Sequence, residues 1–191
     1  MKLTVLLLTL SLSLFLAACG DDADDPPTSE TTTLSATPES DDTPVTPRGT
    51  TDPYSIVVPP DPARPPALLV DVRVGAHDGF DRIVFEFDAA QPSGLIEYRD
   101  EVAQCGSGEP VDPAGAAALV VRFIDTNAHT EAGAVSVPSL SLTGPGNSIL
   151  AAESICDFEA VVEWAVGTDG EKPFTVTLLD DPNRVVIDVA H

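Results

Sequence analysis

From residue 68 onward, apolar and polar residues alternate with a period of two. The segment 82–88 (RIVFEFD) is the clearest case. Ile83, Phe85 and Phe87 fall on one side, and Arg82, Glu86 and Asp88 on the other, the pattern of a half-buried strand. Similar runs predict strands at 68–74 (LLVDVRV), 95–99, 118–124 (ALVVRFI), 139–143, 160–166 (AVVEWAV), 174–179 (FTVTLL) and 184–189 (RVVIDV), while 149–156 is ambiguous. Gly, Pro, Asp and Asn punctuate the intervals. A helical period is weakly present only at 113–119, where Gly115 interrupts it. Many short strands and no internal repeat predict an all-β fold, a single β-sandwich. Within it, Trp164 alternates with Val162 and Val166 and is expected in the core, with a sugar-stacking platform as the alternative. Arg184 and Asp188 share a strand face, so an ion pair to a neighbouring strand is expected.

The first residues follow another pattern. Lys2 precedes a leucine-rich stretch, Leu3 to Leu16, which ends in Leu16-Ala17-Ala18-Cys19. This is the layout of an export signal with small residues at the cleavage point, and its end resembles the bacterial lipobox. The expectation is cleavage before Cys19, acylation of the Cys19 sulfur and a lipid anchor on the extracytoplasmic face of the cell membrane. The alternatives, an ordinary secretory signal or a spanning helix, fit less well. The apolar run is short of the ~20 residues a span needs, and Asp21, Asp22, Asp24 and Asp25 follow at once. Residues 20–66 hold 11 of the 18 prolines and nine threonines, a composition unable to bury enough apolar surface to offset chain entropy. The organisation expected is a lipoprotein signal peptide at 1–18, a lipidated N-terminus and disordered Pro/Thr/Asp-rich linker at 19–66, and one β-sandwich domain at 67–191.

Composition narrows the partners. With 31 acidic and nine basic residues the formal net charge is −22, which repels phosphate backbones and anionic lipid. Nucleic acid is therefore not expected as a partner. Of the three cysteines, Cys19 is assigned to lipid. Cys105 and Cys156 are an even pair in an oxidising compartment and are expected to form a disulfide; the alternative is two separate buried thiols. A zinc site is not expected, because no CxxC occurs and the histidines are dispersed.

Two blocks carry a family resemblance. One is Arg73-Val74-Gly75-Ala76-His77-Asp78-Gly79-Phe80-Asp81-Arg82-Ile83-Val84-Phe85-Glu86-Phe87. The other is Pro182-Asn183-Arg184-Val185-Val186-Ile187-Asp188-Val189. Together with Asp157-Phe158-Glu159 they resemble the AMIN-like domain of bacterial surface lipoproteins, related to the AMIN domain of cell-wall amidases and secretion-pore proteins. The resemblance implies a β-sandwich that binds or localises to peptidoglycan or another wall glycan. AMIN domains usually accompany a separate catalytic domain, and no such second domain is read in this chain. The expectation is a noncatalytic cell-envelope lipoprotein. The alternatives are a protein-interaction module of an envelope complex and a solute-binding or sensory lipoprotein.

The chemistry-bearing residues agree with a binding role. Ser107, in Gly106-Ser107-Gly108, lacks the spacing of a nucleophile elbow. His129 and His191 have no evident triad company, and Glu101, Glu109 and Asp112 would pair as a glycosidase only by coincidence. No catalytic residue, cofactor or metal is expected. The polar turn at 77–82 is the candidate ligand surface, with His77, Phe80 and Arg82 as contacts, since sugars present apolar faces and hydroxyls together. Two rival readings stay open. The turn is simple turn chemistry around Asp78-Gly79, or Phe80 plugs one end of the sandwich.

Overall fold

A computed structural model describes residues 49–191. The lipobox, Cys19 and most of the expected linker lie outside these residues. The described chain is all-β, with its strands in two large sheets and one small hairpin. In chain order the strands are β1 (Tyr54–Ile56), β2 (Ala67–His77), β3 (Phe80–Phe87), β4 (Ser93–Arg99), β5 (Val102–Ala103), β6 (Pro110–Val111), β7 (Ala117–Ile124), β8 (Thr126–Asn127), β9 (Ser141–Thr143), β10 (Ile149–Phe158), β11 (Val161–Thr168), β12 (Phe174–Leu179) and β13 (Asn183–Ala190). One sheet has six strands in the order β1-β4-β7-β11-β10-β9, the other five in the order β12-β13-β3-β2-β8.

The alternation read in the sequence decides what faces what. Ile83, Phe85 and Phe87 of β3 and Val185, Ile187 and Val189 of β13 point between the sheets. They meet Leu119, Val121 and Phe123 of β7 and Val162, Trp164 and Val166 of β11 in one buried core. Trp164 is fully buried and sets its indole edge against Phe85, 6.0 Å between ring centroids. The core reading of this residue holds, and the sugar-platform alternative does not. The ambiguous segment 149–156 becomes the ten-residue β10, paired with β11 through two bulges. The weak helical signal at 113–119 is overridden: Ala117–Ile124 is a strand in register with both β11 and β4.

Part of the segment assigned to the linker is ordered. Tyr54–Ile56 pairs with β4 at the edge of the six-stranded sheet, and Ile56 is buried. Just before it, Thr50 exchanges backbone hydrogen bonds with Phe174. A Cβ on Gly49 would lie 2.3 Å from the Phe174 carbonyl oxygen, so only glycine permits this approach. Proline-rich composition marks low burial, not the absence of pairing at a sheet edge.

The outer face of the six-stranded sheet has a cover of its own. Val102 and Val111 of the β5–β6 hairpin pack over Ala118, Val120, Ile155 and Ala165, a second, smaller core. Cys105, on the hairpin loop, is disulfide-bonded to Cys156 on β10, Cα atoms 5.2 Å apart. The bridge expected from compartment and parity is present. It fastens the hairpin onto the sheet.

Candidate functional site

β2 and β3 join through Asp78-Gly79, where Gly79 takes a φ of 82°, a conformation natural to glycine. The turn brings His77 directly opposite Phe80. Alternation then sends Phe80, Arg82, Val84 and Glu86 to the outer face of the five-stranded sheet, away from the core that holds Ile83, Phe85 and Phe87; Val84 is buried there, and the other three are half-buried. On that face the His77 and Phe80 rings stack, centroids 4.8 Å apart and planes within 8°. The Arg82 guanidinium also lies over the Phe80 ring, 5.2 Å from its centroid, in the geometry of a cation–π contact. The three residues singled out from sequence therefore form one continuous surface. Phe80 is half-buried on the outer face and is no plug in the inter-sheet core.

Arg82 is itself held in place. Asp188, its cross-strand partner on β13, accepts two hydrogen bonds from the guanidinium, at Nε (2.6 Å) and Nη2 (2.8 Å). This two-point pairing fixes the plane of the cation. The Asp188 bonds raise the Arg82 pKa, outweighing the opposing effect of burial. On the other side Arg82 faces Gly75, where a Cβ would meet nothing within 4 Å, leaving open space beside the cation. The ion pair expected for Asp188 is thus found, with Arg82. Arg184 makes none among the described residues, and its Nε donates to the Pro182 carbonyl.

Asp81 points the opposite way and is fully buried. Its Oδ2 accepts the backbone N–H groups of Ser148 (2.8 Å) and Ile149 (2.9 Å). Its Oδ1 lies 3.2 Å from Asn147 Nδ2 and 3.1 Å from His191 Nε2. Burial pushes this carboxyl upward, but the bonds from Ile149, His191, Asn147 and Ser148 together pull it below the ordinary aspartate range. The charge ties β3 of one sheet to the start of β10 in the other, directly behind Phe80 and Arg82. A similar pairing joins His129 Nδ1 to Asp157 Oδ2 at 2.7 Å. Sequence reading found neither pair, because the partners lie 110 and 28 residues apart with no local spacing to signal them. Ser107 is an exposed loop residue whose Oγ accepts the Glu109 N–H. Among the described residues no group of three metal-ligating side chains gathers.

No curated protein and no solved structure matches the chain. The AMIN-like domain family model matches residues 67–191, from the first residue of β2 to the end. That span holds both large sheets apart from the edge strand β1, together with the His77–Phe80–Arg82 surface. The chain belongs to the AMIN-like domain family.

Proposed function

We propose that this protein is a noncatalytic, lipid-anchored wall-binding module whose ligand contact is the His77–Phe80–Arg82 surface. Family membership supports the general part: AMIN-like domains serve at the cell envelope, where they bind peptidoglycan, and are typically binding modules without catalytic residues. The observation that carries the finer part is the stacked His77 and Phe80 pair with Arg82 beside it on a solvent face. An aromatic face next to a fixed cation and open space suits a sugar ring, which offers an apolar C–H face and hydroxyl or carboxylate groups at its rim. Asp188 keeps Arg82 extended across the ring, so little side-chain freedom is lost when a ligand arrives. The lipobox and the acylated Cys19 would hold this surface on the outer side of the membrane.

The test is a pulldown on purified cell wall paired with a thermal melt. Phe80→Ala is expected to lose wall retention while its melting temperature barely moves. Truncation of a core phenylalanine such as Phe85 costs about 3–5 kcal/mol. A Phe80→Ala protein that melts like a core variant and still binds wall would sink the contact role.

A further inference from the structure

Three glycines lie inside strands of the described chain: Gly75 in β2, Gly94 in β4 and Gly167 in β11. Two of them are required by packing. A Cβ on Gly94 would lie 2.6 Å from the Arg122 carbonyl oxygen, and one on Gly167 would lie 2.0 Å from the Ala114 carbonyl oxygen. Nothing in the fold requires Gly75. Its φ lies outside the left-handed region, and a Cβ there would meet nothing within 4 Å. From Asp71 to His77, β2 pairs with β3 residue for residue, so no bulge accounts for it. A glycine inside a strand costs stability, through chain entropy and lost cross-strand packing. A strand glycine without a bulge or bend is suited to close approach of a ligand to the backbone.

Alternation puts Arg73, Gly75 and His77 on the outer face of the five-stranded sheet, with Arg82 directly opposite Gly75 on β3. Gly75 therefore leaves a notch between the Arg73 and His77 side chains, whose Cα atoms are about 13 Å apart along the strand. Arg82 borders the notch on its β3 side. On the other side β8 pairs only with Ala67 and Leu68, so among the described residues no strand closes the notch there. The cations around it are already paired. Arg82 bonds Asp188 through Nε and Nη2, and Arg73 Nη1 pairs with Asp71 and Glu86. Two cations thus meet three carboxylates, and the whole chain stands at −22, a balance that disfavours an anionic ligand. The Arg82–Asp188 pair keeps hydrogen-bonding capacity of both kinds. Arg82 Nη1 makes no hydrogen bond among the described residues, and each carboxylate oxygen of Asp188 accepts more than one. Hydroxyl groups, which donate and accept at one atom, match such a pair.

We propose that Gly75 is the seat of the wall ligand and that the unit seated there is an uncharged sugar. The sugar ring lies on the bare backbone at Gly75, its hydroxyls bond the Arg82–Asp188 pair, and its flank meets the His77 ring. The absence of a side chain at position 75 is what admits it. This inference rests on the wall-binding reading of the His77–Phe80–Arg82 surface, and adds to it the residue that admits the ligand and the charge class of that ligand.

The experiment titrates the full chain with purified cell wall, reads the bound fraction after sedimentation, and melts each variant. Gly75→Val is expected to weaken binding by at least about tenfold, or about 1.4 kcal/mol. Its melting temperature is expected to hold or rise, because a β-branched residue suits an open strand position. Gly75→Ala, which adds one methyl group into open space, is expected to weaken binding less and carries the test should Gly75→Val unfold. Gly106→Val, at a glycine with equally open surroundings on the β5–β6 loop, is expected to bind like the wild type. Wall whose carboxylates have been converted to amides is expected to bind the wild type at least as tightly as untreated wall. Unchanged binding in a folded Gly75→Val, or in Gly75→Ala if only that variant folds, overturns the seat. Loss of binding to the amidated wall overturns the uncharged ligand. Phe80→Ala separates the two readings. If it binds wall like the wild type, the His77–Phe80–Arg82 contact itself fails; if it loses wall while Gly75→Val keeps it, only the present inference fails.

Discussion

Asp81 and Arg82 are neighbours in sequence with opposite surroundings, and strand alternation is the reason. Arg82 stands on the solvent face beside Phe80, while Asp81 turns inward and takes two backbone N–H groups from the start of β10. Asp81→Asn keeps one oxygen for those donors but sets an amide against Asn147 and His191. We expect a loss of about 1–3 kcal/mol at neutral pH, the cost of an imperfectly satisfied buried polar group, measured by urea unfolding. The pH dependence follows from the direction of the shift. The folded-state pKa is lowered, so the stabilisation is present above the unfolded value of about 3.9 and is lost as pH falls through the folded value. The stability difference between wild type and Asp81→Asn is therefore expected to shrink below about pH 4. A difference that stays constant down to pH 2 would rule out the ionised network.

At the scale of elements, the hairpins separate what local chemistry dictates from what it tolerates. Asp78-Gly79 is legible as a turn because glycine supplies the positive φ. The β10–β11 turn is not, since Glu159 and Ala160 both sit in the left-handed region, at φ 51° and 56°. Such a conformation costs an L-residue about 1–2 kcal/mol. It is imposed by the long β10–β11 register and by the Thr126 N–H bonded to the Ala160 carbonyl. Ala160→Gly is expected to stabilise the domain by about 1 kcal/mol, read as a shifted urea midpoint. The β5–β6 hairpin is the opposite case, two strands of two residues each, too short to show a period. Its cover over Val120 and Ala165 is fastened by the Cys105–Cys156 bond. Replacing both cysteines with serine is expected to cost about 2–5 kcal/mol. Hydrogen exchange should rise first across 100–116, ahead of β7 and β11. Uniform loss of protection across the domain would mean that the bond acts only on the unfolded chain.

For the whole molecule, charge and anchoring work together in the proposed role. A chain at −22 does not collapse onto anionic lipid, so membrane association is expected to depend on the acyl chains alone. Cys19→Ala should therefore appear in the soluble fraction or as uncleaved precursor on fractionation. A variant that stays membrane-bound after processing would refute the lipobox reading. The sequence by itself determined the all-β class, most strand positions, the buried faces of β3 and β11 and the pairing of Cys105 with Cys156. Period-two alternation and residue parity are local records of burial and oxidation, readable without coordinates. It also placed His77, Phe80 and Arg82 in one turn. Only the tertiary structure decided that β1 leaves the proline-rich segment to join a sheet. It alone set Asp188 across from Arg82 and put Asp81 behind them in contact with β10. Each of these depends on strands far apart in the chain coming into register, and cross-strand register is fixed by packing of the two sheets together, which no single stretch of sequence encodes.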